Sequence, residues 1–336
     1  MRFTDLAART VALAGATADG EASTAGGEAS AAGGPRVVVV GSANLDLITE
    51  APELPQSGET VLGTSVRREP GGKGLNQAVA AAAFGARTSL IAAMGDDPSG
   101  AVLLDALRRR GVDTTHCRTV PGTDTGTAVV TVDDAGANHI VVIPGANGSL
   151  TGLTDADREL IAQADVVLCQ LEIPPTTATE AAVTARRHGV PVLVNVSPAR
   201  DLPPELLEAA SVLIVNEHEA AHLRRAEAGI PAGVAILTTF GADGAELAAA
   251  GPGGVNGTNG PIRAAAPLAD PVDSTGAGDT FAGTFAAATA ERSAPALALE
   301  VACAAASLSV ERPGASASVP TRAETLDRRR SFYLRP

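Results

Sequence analysis

The run of four valines at residues 37–40, closed by Gly41, limits more than any other feature what this chain can fold into. A continuous β-branched stretch has no polar face to turn to water, so it suits a strand covered on both sides, as in a parallel sheet packed between helices. Further short apolar runs follow at SLIAAMG, DVVLCQLEI, PVLVNVS, SVLIVNE and AILTTFG, separated by alanine-rich stretches such as TATEAAVTARRHG and HEAAHLRRAEAG that read as helices. Strands alternating with helices predict a doubly wound, mainly parallel α/β sheet flanked by helices.

Two segments break this rhythm. Residues 47–70 alternate polar and apolar side chains among Pro and Gly, and GTAVVTVDDAGANHIVVIPG, within 123–145, reads as a hairpin around an Asp-Ala-Gly turn. Neither carries helices, so together they predict a small β-sheet beside the main one, placed as a lid. Residues 1–35 are rich in Ala, Gly, Thr and Ser with few large apolar side chains, which predicts a disordered or loosely helical extension; a secretory signal would need a longer apolar centre than VALAGATA. The folded domain is expected over 36–325, with a C-terminal tail at 326–336.

Composition removes several function classes. A net charge of −13 leaves no basic face for nucleic acid beyond short runs such as Arg108 to Arg110. Cys117, Cys169 and Cys303 form no CxxC pair, which fits a reducing, cytoplasmic compartment and buried structural thiols. No apolar stretch reaches the ~18 residues of a membrane helix. Trp is absent and Tyr333 is the sole tyrosine, so aromatic stacking cannot be the main device for holding a ligand.

The strongest local signal is DSTGAGDTFAGTFAAATA, starting at Asp273. Its glycines lead into an alanine-rich helix, so the N–H groups of Gly276, Ala277 and Gly278 can face an anion with the helix dipole behind them. Asp279 at the helix start either caps the helix or accepts a proton from a hydroxyl nucleophile. TTFGADG places Thr239, Gly241 and Gly244 after a strand, as a plain turn or a loop that phosphates can approach. In NEHE, Asn216 and Glu219 form a capping box, hold hydrated Mg²⁺, or do both. The chain has no GxxxxGKS loop, and GSANLD rather than GxGxxG follows the first strand, which excludes a Walker-type NTPase and disfavours a dinucleotide oxidoreductase.

Polar groups gather at other strand ends. GSANLD leaves Asn44 and Asp46 at the carboxyl edge of a parallel strand, where open α/β sheets bind ligands. EPGGKGLNQA surrounds Lys73 with Gly71, Gly72 and Gly74 and offers Asn76, while QLEIP adds Glu172. Each could be an ordinary surface polar residue; converging, they make a polyol site.

With these motifs in this order, together with MGDDPSG and PGAN, the chain resembles the ribokinase family of carbohydrate kinases from about Arg36 to Thr325. GGKGLNQA and DSTGAGDTF correspond to the two family signatures. The resemblance implies the family fold with a β lid, a homodimer formed through that lid, and ATP-dependent phosphorylation of a sugar, with ribose favoured over nucleosides, fructose-type sugars and 2-keto-3-deoxygluconate. It implies sugar contacts from Asn44, Asp46, Gly72, Lys73, Asn76 and Glu172, with Asp279 as catalytic base and Gly276, Ala277 and Gly278 as an anion hole. Nucleotide contacts would come from Asn216, Thr239, Gly241, Gly244 and Gly278, and Mg²⁺ from Glu219 through water. A K⁺ site would be formed by Asp273, Thr275, Ser309, Arg312, Gly314 and Ser318. Ser274 stands where Thr is common, NVSPAR departs from the family's usual loop, and Cys303 stands near the adenine where some relatives carry Asn. From another class, a sugar-binding protein that had lost catalysis would have no need of Asp279 and its glycines.

Overall fold

A computed structural model of the protein describes residues 33–225, 229–249 and 260–334. The expected extension at 1–35 therefore lies outside the described residues except for its last three positions. The valine run forms β1 (Arg36–Val40), the interior strand of a nine-stranded sheet ordered β13-β12-β11-β10-β9-β8-β1-β4-β5. Val37 and Val39 enter one hydrophobic core and Val38 and Val40 a second on the opposite face, which is why no polar residue interrupts the run.

The other expected strands are β4 (Arg87–Gly95), β8 (Val166–Gln170), β9 (Val192–Asn195), β10 (Val212–Asn216) and β11 (Ala235–Thr239). All pair in parallel, as does β5 (Cys117–Val120) with β4, while β12 (Ala245–Ala249) and β13 (Ile262–Ala264) close one edge antiparallel. From β1 the chain builds outward to β4 on one side and later returns to β8 on the other. Such a reversal leaves a crevice at the carboxyl ends of the strands.

One face of the sheet is covered by α1 (Lys73–Ala83), α2 (Pro98–Arg109), α7 (Ala277–Ala290) and α8 (Pro295–Ser309), the other by α3 (Asp155–Ala162), α4 (Pro175–Arg187), α5 (Pro204–Ala209) and α6 (Glu217–Arg225). Small side chains let these helices come close. A Cβ on Gly283 of α7 would lie 2.3 Å from the Gln77 carbonyl and 2.7 Å from the Ala80 Cβ of α1, so only glycine allows this crossing.

The small sheet is four-stranded, ordered β3-β2-β6-β7, from β2 (Asn44–Ala51), β3 (Ser65–Gly71), β6 (Thr127–Asp133) and β7 (Asn138–Ile143). Asp133 Oδ1 accepts from the Ala135 and Ala137 amides and so closes the β6–β7 turn, with Gly136 at φ 81°. MGDDPSG ties this sheet to the main one: Asp97 caps α2 by accepting from Gly100 N at 2.7 Å, and also accepts from Thr125 N at 2.8 Å, just before β6.

The expected boundary at 325/326, with a tail beyond it, falls inside a helix, α9 (Arg322–Tyr333). Its sequence, RAETLDRRRSFY, has no apolar stripe to announce it. Arginines hold it instead, with Arg322 on Glu291, Arg328 on Glu311 and Arg329 on Glu300. Among the described residues no helix is long and apolar enough to cross a membrane.

Candidate active site

The sugar-side residues meet where β1 ends. Gly72, at φ 87°, would place a Cβ 2.8 Å from Asn44 N, and Gly74 one 2.6 Å from both Ser42 N and Ser42 O. The GGKG glycines thus let the first turn of α1 lie directly on the loop after β1. Glu172, just past β8, accepts from Lys73 N at 3.0 Å and Ser42 Oγ at 2.6 Å, satisfying a donor that a helix N-terminus leaves open. Asn44 is buried, and its Oδ1 accepts from Asn147 Nδ2 at 2.7 Å; Asn147 in turn accepts from Ala43 N. Asp46 Oδ1 is buried with no hydrogen-bond partner among the described residues. Burial above all, then the Glu172 carboxylate, push the Asp46 carboxyl up to about 7, with Glu69 and Asp279 adding to the repulsion.

Asp279 sits in the first turn of α7, behind Gly276 at φ 74°. It is buried, and both oxygens are held from α1: Oδ2 accepts from Asn76 Nδ2 at 3.0 Å and Oδ1 from Gln77 Nε2 at 2.9 Å. Gln77 Nε2 also donates to Asn195 Oδ1 at 3.0 Å, and Asn195 Nδ2 donates to the Ile214 carbonyl at 3.2 Å, so an amide relay fixes the carboxylate to β9 and β10. Burial raises the Asp279 pKa, while the Lys73 ammonium and the two amides pull it down without cancelling that effect. Lys73 shows the converse: burial alone would lower it, but the Asp279, Glu172 and Glu219 carboxylates hold its ammonium above the ordinary lysine value. The Ala277 N–H turns to the Ser274 carbonyl at 3.3 Å, whereas those of Gly276 and Gly278 have no acceptor among the described residues.

On the other side of this turn lies a cavity of about 360 Å³ lined by Thr239, Gly241, Gly244, Gly278 and Cys303, with Phe281 as its one aromatic wall. Burial pushes the Cys303 thiol up to about 12, so it stays neutral. Asn216 is not part of that wall. It ends β10 and exchanges hydrogen bonds with Glu219, 2.9 Å from its own N to Glu219 Oε2 and 2.8 Å from Glu219 N to its Oδ1. This is a capping box in geometry, and it leaves the second oxygen of buried Glu219 without a hydrogen bond among the described residues.

The two segments of the expected K⁺ site are joined. Asp273 Oδ2 accepts from Gly314 N and Oδ1 from Thr275 N, both at 2.9 Å, and a Cβ on Gly276 would lie 2.9 Å from Ala315. Burial would raise the Asp273 pKa, but hydrogen bonds from Thr275 and Gly314 outweigh it and hold the carboxyl below its usual range. The hydroxyls of Ser309 and Ser318 turn back onto Ala306 and Ala315 carbonyls, and the Arg312 guanidinium leaves the segment to pair with Glu324. The donors available are hard oxygens, the chemistry that suits a hard cation.

Besides Ser42, three amide side chains of this site are not marked by the sequence: Gln77, Asn147 and Asn195. Each lay inside a quoted segment (GGKGLNQA, PGAN and NVSPAR), but an amide carries no spacing rule that marks it as a positioning group.

A family model for pfkB family carbohydrate kinases matches residues 35–322. The chain is 40% identical to a ribokinase of Bacillus subtilis over 86% of this chain and 97% of that protein, and 38% identical to a ribokinase of Haemophilus influenzae over 87% and 97%. A structure of the Arabidopsis thaliana ribokinase complexed with ribose and ATP superposes with a TM-score of 0.79 at 34% identity, covering 88% of this chain and 99% of that one. The match takes in every strand end and helix start of the site, and the chain belongs to the pfkB family of carbohydrate kinases.

Proposed function

We propose that this protein is a ribokinase, transferring the γ-phosphoryl group of ATP to the 5-hydroxyl of D-ribose. The observation that carries the reading is the buried Asp279 at the N-terminus of α7, clamped by Asn76 and Gln77 between a polar crevice and an apolar cavity. Ribose takes the crevice, held by Asn44, Asp46, Gly72, Lys73, Asn76 and Glu172. The nucleotide takes the cavity, with Thr239, Gly241, Gly244, Gly278 and Cys303 around it and Asn216 near its phosphates. Asp279 accepts the hydroxyl proton as the sugar oxygen bonds to the γ-phosphorus and the bond to the β-phosphate oxygen breaks, releasing ADP. Burial suits it to the task, because a raised pKa makes a better proton acceptor. The Gly276 and Gly278 N–H groups face the charge that develops on the phosphoryl oxygens, and the Ala277 N–H joins them once it leaves the Ser274 carbonyl. Lys73 draws the same oxygens toward the sugar.

Glu219, with Asn216, would hold hydrated magnesium, which when bound offsets charge on the nucleotide phosphates. Asp273, Thr275, Ser309, Arg312, Gly314 and Ser318 would hold potassium, which would order the anion-hole loop from behind. The small sheet serves as a lid and meets the lid of a second copy; in support, β7 is an edge strand with every residue exposed, Ile140, Val141, Val142 and Ile143 among them.

Assayed with ATP against pentoses, hexoses and nucleosides, the protein should favour ribose; a nucleoside turned over faster would replace the substrate. Asp279→Asn keeps the shape and removes the proton acceptor, so kcat should fall by ~10² or more with a small change in sugar KM, and near-normal turnover would exclude the base.

Asp46 gives a pH dependence. Its carboxyl is raised from 3.8 to about 7, so in the free protein the stability present below about pH 4 is lost as pH rises toward and through 7. Asp46→Asn should therefore stabilise the sugar-free protein at pH 8, by on the order of 1–3 kcal/mol in chemical denaturation. Ribose hydroxyls need the ionised form, so the wild-type ribose KM should rise as pH drops below 7. A flat KM between pH 6 and 8, or a destabilised variant, would contradict this.

For the monovalent ion, activity in a sodium- and potassium-free buffer should be low and recover with KCl but not with LiCl at equal ionic strength, since screening does not depend on ion size. Equal activity in the two salts would remove potassium from the scheme. Sedimentation at micromolar concentration should give twice the chain mass, and a single-chain mass would remove the lid-to-lid dimer.

A further inference from the structure

Residues 265–276 form one wall of the nucleotide cavity, through Ala266, Leu268, Pro271 and Ser274 among others, yet this stretch has no helix or strand of its own before α7. Leu268 is 90% exposed, so little apolar packing fixes it from outside. Two side chains of α9 hold it by its carbonyls. The Tyr333 hydroxyl donates to the Ala265 carbonyl, and Arg328 Nη1 donates to the Leu268 carbonyl at 3.0 Å while Nη2 pairs with Glu311 at 2.7 Å. The Tyr333 hydroxyl also lies against the Cys303 thiol, which belongs to the facing wall of the same cavity. Burial keeps that phenol protonated and a donor.

We propose that α9 is a positioning element for the nucleotide, in which Tyr333 and Arg328 fix the 265–276 wall and thereby set ATP affinity. The proposal rests on the kinase reading above. Fixing a loop in its bound shape before the ligand arrives removes an ordering cost from binding, because backbone freedom need not be given up at that moment. Loss of one of the two carbonyl contacts should loosen the wall without touching the sugar crevice or Asp279. The effect belongs to KM for ATP, not to kcat.

Tyr333 also supplies the means of observing it, since the chain has one Tyr and no Trp, so its tyrosine emission reports this residue alone. ADP titrated into the wild-type protein without sugar should change that emission saturably, with a midpoint matching ADP binding measured by equilibrium dialysis. Tyr333→Phe and Arg328→Met should each raise KM for ATP about 3–10-fold, with kcat and ribose KM within about twofold of wild type. Bound ADP with unchanged emission, an unaltered KM for ATP, or ATP and ribose KM rising together would each overturn the proposal, the last because it signals general loosening. If either variant fails to fold, the wild-type titration decides alone. A wild-type protein that binds ADP with the emission change but phosphorylates no sugar would instead refute the kinase reading and leave the role of α9 intact.

Discussion

A carboxylate buried at the start of α7 is tolerable only because α1 comes close enough to hold it. Removing an ionised group from water is strongly unfavourable unless hydrogen bonds and opposite charge replace the solvent. Asp279 receives one amide N–H on each oxygen, from Asn76 and Gln77, and has the Lys73 ammonium nearby. All three donors belong to the first turns of α1. Their reach depends on the crossing at Gly283, where a single added carbon would meet the backbone of Gln77. The alanine-rich composition of both helices is therefore a condition of this arrangement: larger side chains at this contact would move the amides away from Asp279.

The same closeness crowds like charges around the crevice. Asp46 feels the charge of Glu172, Glu69 and Asp279; Arg67 pairs with Glu69 at 2.9 Å, and the Lys73 ammonium faces Asp279 and Glu172. Asp46 bears most of this strain, since its Oδ1 lacks a partner and its titration lies near neutrality. A polyol brings hydroxyl donors to these acceptors, so binding relieves a cost built into the fold. Stability of the free protein and affinity for sugar then draw on the same groups in opposite directions.

Much of this was legible in the sequence because the signals are backbone signals. A valine run buried on two faces, glycines where a helix start must touch a loop, and polar residues at successive strand ends all follow from steric rules that one sequence exposes. Gln77, Asn147 and Asn195 were not legible, since an amide in the interior of a helix or at a strand end has no periodicity to give it away; its value appears only when Asp279 and Ala43 are seen across the interface. The C-terminal helix escaped for a related reason. RAETLDRRRSFY is held by arginines to acids just past α7, in α8 and in the loop after it, and pairing over such sequence distances leaves no local pattern. The capping box of Thr321 with Glu324 was the one local cue.

α7 itself divides the two halves of the site. Asp279 faces the crevice through α1, and Phe281, two residues on, lines the nucleotide cavity. Between them runs a single turn of backbone whose N–H groups point out of the helix end. In the proposed reaction a phosphoryl group passing from cavity to crevice would cross that end, and the donor amides would need no separate loop to bring them to it. Among the described residues the cavity is lined mostly by apolar side chains and backbone, with the hydroxyls of Thr239, Ser274 and Ser307 and the Phe281 ring, so under the proposed reading discrimination there would come largely from its shape. A wall of irregular backbone holds a shape only if something outside fixes it: here the Val310 carbonyl takes the Val272 and Asp273 amides, Gly314 N donates to Asp273, and Tyr333 and Arg328 of the C-terminal helix hold the Ala265 and Leu268 carbonyls.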